Sequence, residues 1–361
     1  MRVLFITRKY PPSVGGMETF AYDLSNALAS KTDVKLVKWG GSGRLRAVLI
    51  ALPYLFIRSF WALVKGGIDV IHVNDGVLAP LGYLLSRLFR KPFVVVIHGL
   101  DATYQNPIFQ AVVPGALRRA SAVICISQAA AEEVKRLGVA SNKIQVIPLA
   151  VNDELHGKSS RQELIEQLRL SEGSLIILTV GRLVERKGVA WFIDSVLPGL
   201  VKRYPELVYL VVGEGQERPN IEAAIARHKL GQHLKLLGKV DNDLYEATYN
   251  GADIFVMPNI NVPGDMEGFG LVLLEASLCA LPVVAADTEG IKDAVQNGKN
   301  GVLVPVRDVA AFTRVISKFL DDKAQARQFG QQSRRFTLDN YQWSKIADRY
   351  LEQYQRLQSR R

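Results

Sequence analysis

Residues 152–174 read NDELHGKSSRQELIEQLRLSEGS. The stretch is polar and offers no strand, yet it lies between two regions that share one rhythm. Before it, short β-branched apolar runs recur: RVLFIT, DVKLVKW, DVIHVN, PFVVVIHG, AVICIS and IQVIPLAV. Amphipathic segments such as METFAYDLSNALAS and SQAAAEEVKRLG separate them. After it the runs resume as LIILTVGRL, LVYLVVGEG, LKLLGKV, DIFVMPN, LPVVAAD and GVLVPV. Strands that are apolar throughout are buried on both faces, and their alternation with helices predicts a parallel sheet covered on both sides. The expected architecture is therefore α/β, with two doubly wound domains at 1–151 and 152–340. Ligands of such sheets bind at the carboxyl ends of strands, and two facing sheets predict a cleft between them. The last segment, 341–361, opens YQWSKIADRYLEQYQRL and reads as a helix expected to pack back on the first domain.

The 361 residues suffice for two cores, and 48% hydrophobic with 22% charged content fits an ordinary soluble globular chain. Cys125 and Cys279 both sit in apolar runs and read as small buried hydrophobes of a reducing compartment, not as a disulfide. The opening MRVLFITRKYPP ends too soon for a signal peptide and reads as a first strand, which places the protein in the cytoplasm. The net charge of +10 is uneven: residues 1–150 hold 18 Lys and Arg against 8 Asp and Glu, and the remainder 27 of each. A basic first half suggests an anionic partner such as a membrane surface or a phosphate-bearing substrate. Residues 44–65, RLRAVLIALPYLFIRSFWALVK, approach membrane-spanning length, but Arg58 and Pro53 interrupt them and strands flank them. They read as a helix that is either buried or laid on a membrane surface.

Four motifs carry chemistry. GRLVERKG, Gly181–Gly188, follows a strand and precedes a helix, and it sets Arg182, Arg186 and Lys187 where anions bind. KYPPSVGGMETF puts Gly15 and Gly16 between the first strand and the first helix, where backbone N–H groups can approach an anion. This is not GxGxxG, so the dinucleotide fingerprint is absent. VIHGLDATY brings His98 and Asp101 to the end of the fourth strand, a proton-relay or hydroxyl-binding pair. EGFGLVLLE, Glu267–Glu275, sets one carboxylate before a helix start and one inside the helix. Phe269, Gly270 and Leu271 would present free N–H groups between them. Hydroxyls on both sides of a central anion suit that layout, as in a nucleoside diphosphate sugar. The bland alternatives are dipole stabilisation by Glu267 and a buried ion pair for Glu275.

These residues resemble the retaining glycosyltransferases of family 4, with the GT-B fold of two Rossmann-like domains. GRLVERKG and EGFGLVLLE carry the likeness, YPPSVGGME and HGLD match too, and the resemblance runs from Met1 to about Tyr354. It implies an N-terminal acceptor domain, joined by the C-terminal helix, and a C-terminal donor domain. It implies that Gly181, Arg182 and Lys187 hold the donor diphosphate and that Glu267 bonds the transferred sugar. Phe269, Gly270 and Leu271 would offer N–H groups, Glu275 would take the ribose hydroxyls, and Gly16 would reach the diphosphate. Arg182, Lys187, Glu267 and His98 form the expected catalytic set, with Gly15 and Asp101 as acceptor-side candidates. No cofactor and no metal are implied, and Asp265 alone is not a metal site. The expected donor is a UDP- or GDP-sugar, and the acceptor a glycan or membrane-borne lipid-linked sugar. An epimerase of the same fold and a non-catalytic nucleotide-sugar-binding adaptor are the rival readings. Nucleic acid is not an expected partner, since no aromatic-plus-basic stripe accompanies the charge.

Overall fold

The computed structural model describes residues 1–13, 15–41, 45–104 and 106–359, with 45–49 as backbone only. Arg44, the first residue of the apolar segment, lies outside the described residues, as do Arg360 and Arg361 of the expected C-terminal helix. The chain divides into two compact units, Met1–Ala150 with Trp343–Arg361, and Val151–Gln342.

In the first unit six strands form one sheet: β1 (Arg2–Thr7), β2 (Asp33–Lys38), β3 (Val70–Val73), β4 (Phe93–Ile97), β5 (Ala122–Cys125) and β6 (Ile144–Val146). Their order is β2-β1-β3-β4-β5-β6, and all pairs are parallel. The chain runs from β1 outward to β2, then returns to place β3 on the other side of β1. That reversal opens a crevice between the loops after β1 and β3, the usual ligand position in an open α/β sheet. One face is covered by helices Leu45–Val64, Ala79–Phe89, Pro107–Arg119 and Gln128–Arg136, whose apolar sides join Leu4, Ile6, Val95 and Ile97 in one core. Helix Gly16–Ala29 packs against the C-terminal helix Trp343–Ser359. Tyr350 and Tyr354 of the latter are buried, and the Tyr354 hydroxyl lies 2.7 Å from His72 Nδ1. Burial lowers the His72 pKa to about 3, so the ring is neutral and packs face to face on Phe5.

The second unit repeats the plan with β7 (Leu175–Val180), β8 (Leu207–Val212), β9 (Leu234–Gly238), β10 (Ile254–Met257), β11 (Val283–Ala286) and β12 (Val302–Val304). The order is β12-β11-β10-β7-β8-β9, again parallel throughout. Here the reversal falls between β7 and β10. The twelve apolar runs of the sequence are thus the twelve strands. The polar stretch 152–174 contributes no strand but a helix, Arg161–Leu168, started by a capping box of Ser160 and Glu163. Cys125 and Cys279 are both free and buried. Among the described residues no helix is long and apolar enough to cross a membrane.

Candidate active site

The reversal between β7 and β10 brings GRLVERKG and the loop 258–270 to one sheet edge. Gly188 makes their close approach possible: it adopts φ 65°, and a Cβ there would stand 1.9 Å from the Pro258 carbonyl oxygen. Ile260 N donates to Arg186 O at 2.9 Å and fixes the register of the two loops.

Within that junction Lys187 Nζ lies 2.6 Å from Glu267 Oε2, and both side chains are buried. Asn259 Nδ2 donates to the same oxygen at 3.1 Å. Arg186, also buried, donates through Nη1 to both carboxylate oxygens of Asp265, at 3.0 and 3.2 Å. Its Nε is 3.6 Å from Glu267 Oε2, a charge contact too long for a hydrogen bond, and that Nε has no hydrogen-bond acceptor among the described residues. Burial by itself would raise the Glu267 pKa, but Lys187, Arg186 and Asn259 outweigh it and hold the carboxyl below its ordinary range. Glu289, in the loop after β11, accepts from Glu267 N at 2.5 Å and braces the motif from behind. Burial and the neighbouring Glu267 charge push the Glu289 carboxyl up.

Gly270 starts helix Leu271–Leu278 in the left-handed region, with φ 87° and no side-chain cap. The N–H groups of Phe269, Gly270 and Leu271 donate to no other described protein group. Phe269 is buried against Tyr341, which anchors the turn. One helical turn further, Glu275 accepts from the hydroxyls of Tyr245 and Tyr249, each at 2.9 Å and both at Oε2. Neither is a base, so burial raises the Glu275 carboxyl and the two hydroxyls offset it only in part. The expected alternative of an ion pair for Glu275 is not what surrounds it.

Arg182, expected with Lys187, is exposed, and its side chain makes no hydrogen bond or ion pair among the described residues. Arg186, in the same run, is the arginine drawn into the buried cluster. Sequence reasoning passed over Asn259, Glu289, Tyr245 and Tyr249. Asn259 lies two residues past the end of β10 beside the reversal, and the two tyrosines lie four apart on one helix face, Asn242–Gly251, which are the available signals. No three His, Cys, Asp or Glu side chains among the described residues converge as a metal site would require.

In the first unit, His98 follows β4 and packs edge-on to Phe20, with Nε2 3.0 Å from the Asn74 carbonyl. Asp101 receives His98 N at 2.7 Å and Gly76 N at 3.1 Å, so both its oxygens tie the loops after β4 and β3 together. Its carboxyl is raised, chiefly by burial. Beside them Asp75, fully buried, lies 2.9 Å from Arg8 Nε, and Lys9 pairs with Glu18 at 2.9 Å. A Cβ on Gly15 would meet Glu18 Oε2 at 2.5 Å, whereas the space around Gly16 is open.

The sequence matches two family models, "Glycosyl transferases group 1" over residues 160–336 and "Glycosyltransferase Family 4" over residues 14–155. A GDP-mannose-dependent alpha-(1-6)-phosphatidylinositol monomannoside mannosyltransferase of Mycolicibacterium smegmatis is 26% identical over 377 residues, covering 97% of each chain. A glycogen synthase of Mycobacterium tuberculosis is 26% identical over 396 residues, covering 96% of this chain and 92% of the other. Anabaena Alr3699/HepE, solved in complex with UDP, superposes with a TM-score of 0.77 at 21% identity, covering 98% and 99%. The two doubly wound units agree with those matches, and the chain belongs to glycosyltransferase family 4, a family of retaining enzymes with the GT-B fold.

Proposed function

We propose that this enzyme moves a hexose from a UDP- or GDP-sugar to a hydroxyl of a glycan or lipid-linked acceptor. It would work in the cytoplasm, peripherally on the inner membrane face, in cell-surface polysaccharide or glycolipid synthesis. The observation that carries the donor half is the buried meeting of Lys187, Arg186 and Glu267 beside three undonated N–H groups. The relatives' names support the donor class, with GDP-mannose in one and UDP in another. They differ in acceptor, a phosphatidylinositol mannoside in one and glycogen in the other, so the acceptor half rests on the basic first unit.

In this reading the second unit holds the donor and the first holds the acceptor. Lys187 and Arg182 neutralise the diphosphate, and the N–H groups at 269–271 point at its oxygens or the sugar. Glu267 and Asn259 take hydroxyls of the transferred sugar, for which the unpartnered Asn259 Oδ1 is an available acceptor. Glu275 takes the ribose hydroxyls with its Oε1, since both tyrosines use Oε2. The sugar C1–O bond to phosphate breaks as the acceptor oxygen bonds to C1 on the same face, and the acceptor proton passes to the departing diphosphate. Positive charge grows on the sugar and negative charge on the diphosphate, which the two cations and the helix end would stabilise. On the first unit, His98 would serve the acceptor, and Gly16 offers open backbone to an anion. The chain's own cations supply the leaving-group charge, so no metal is invoked.

Calorimetry with UDP, GDP and ADP, without added metal, tests the donor site. Wild type should bind one of them, and Lys187→Ala should lose it. Equal binding by both proteins would overturn the assignment.

A further inference from the structure

Over residues 50–64, helix Leu45–Val64 buries only one side. Ala51, Leu55, Ser59, Ala62 and Leu63 face the core. Ile50, Tyr54, Ile57, Trp61 and Val64 are 41–64% exposed. Those five positions are spaced alternately by four and three residues, so they form one straight apolar stripe along the helix. Isolated exposed apolar residues are ordinary, but a stripe with this regularity marks a surface made to be covered.

The stripe does not end with its own helix. The neighbouring helix Ala79–Phe89 packs against Leu45–Val64 and exposes Leu84 and Leu88, at 47% and 55%. Helix Pro107–Arg119 follows on the same sheet face and exposes Ile108 and Val112. These three helices contain no Asp or Glu. Exposed cations surround the apolar positions: Arg58 and Lys65 by the stripe, Arg87 and Arg90 by the second helix, and Arg118 and Arg119 at the third.

We infer that this three-helix face of the first unit docks flat on an anionic lipid bilayer, with the stripe sunk into the headgroup boundary. The charge pattern selects this occupant over a second copy of the chain. A two-fold dimer through the stripe would set the same cations against each other, whereas coiled-coil seams are flanked by charges of both signs. An anionic leaflet complements every one of them. Trp61 and Tyr54 are residue types that settle at the membrane–water interface, and a helix with one apolar face and a basic flank lies in that plane. The inference rests on the peripheral location proposed above and adds the surface that does it.

The test is cosedimentation of the full chain with phosphatidylcholine vesicles, alone or mixed with phosphatidylglycerol, at low salt. Wild type should bind the mixed vesicles and leave the neutral ones. Ile57→Glu with Trp61→Glu should weaken binding by at least about tenfold, and Leu88→Glu, on a different helix, should weaken it independently. Arg58→Glu with Lys65→Glu should abolish the preference for anionic lipid. Unchanged thermal unfolding of these surface variants controls for the fold. Wild type that ignores anionic vesicles overturns both this surface and the peripheral location. Wild type that binds while Ile57→Glu/Trp61→Glu and Leu88→Glu bind equally well overturns the surface and leaves the location standing. Lipid-free self-association that the stripe substitutions abolish assigns the face to a second copy and overturns the bilayer.

Discussion

Lys187 Nζ and Glu267 Oε2 stand 2.6 Å apart and buried, one from the loop after β7 and the other from the loop after β10. The sheet order places these two loops side by side, so the contact is a product of the chain's reversal in the second sheet. A buried ion pair of this kind is costly to break but need not be what holds a fold together. That distinction separates a structural from a functional role.

Lys187→Met or Glu267→Gln alone leaves a buried charge without its partner and should cost about 3–5 kcal/mol of stability. Both together remove the two charges and should recover most of that loss. Activity should not follow. The double variant should remain at least about a hundredfold down in kcat/KM, because leaving-group and sugar contacts are both gone. Urea unfolding and steady-state transfer assays read the two effects separately. Recovery of activity in the double variant would make the pair merely structural.

The two glutamates of EGFGLVLLE should have opposite pH signatures. The Glu267 carboxyl is held below its ordinary range, so its stabilisation is present above the unfolded pKa and fades as pH falls through the folded value. Glu275 is raised, so its favourable contribution is complete below the unfolded pKa and is lost as pH rises through the folded value. Glu267→Gln should therefore destabilise at neutral pH, with the deficit shrinking in acid. Glu275→Gln should stabilise at neutral pH, with the gain shrinking in acid, while nucleotide affinity falls. Chemical unfolding of both variants across acid to neutral pH checks the signs.

At the junction of the two loops, Gly188→Ala would force a methyl group into the Pro258 carbonyl at a left-handed backbone position. It should cost more than about 2 kcal/mol and weaken nucleotide binding, since Arg186 and Lys187 shift with it. Gly199→Ala is the control: it lies in helix Leu197–Arg203 with open space around it and should stabilise by roughly 0.5–1 kcal/mol. Thermal unfolding and calorimetry on both proteins suffice.

The strands were legible because a sheet buried on both faces needs unbroken apolar runs, and LIILTV or FVVVI leaves no other reading. The meeting of GRLVERKG with EGFGLVLLE was legible as a pattern, but its inner arrangement was not. Arg182 and Arg186 are equivalent in the sequence. Only the 3-10 turn Glu185–Lys187 decides that Arg186 turns inward to Asp265 while Arg182 stays exposed. The tyrosines on Glu275 come from a helix that precedes β10, and no local spacing links 245 or 249 to 275. Such partners are set by how helices lie on the sheet, which periodicity does not encode. The apolar segment 44–65 was legible as a helix, and its division into a buried side and an exposed stripe needed the packing against the sheet.

His98 and Asp101 are three residues apart and should fail differently. Asp101 spends both oxygens on backbone N–H groups of His98 and Gly76. Asp101→Ala strands those donors in a half-buried loop and should cost about 2–4 kcal/mol, from two lost hydrogen bonds with buried donors. His98 has one nitrogen on the Asn74 carbonyl and its other nitrogen without a described partner. His98→Ala should lower turnover at saturating donor by at least about tenfold while leaving nucleotide affinity in the second unit intact. A kcat loss without a change in nucleotide Kd therefore separates a reacting-centre role from loop support. If His98→Ala instead loses stability in step with Asp101→Ala and keeps its kcat at low temperature, both residues only tie the loops together, and the acceptor side of the site lies elsewhere on the first unit.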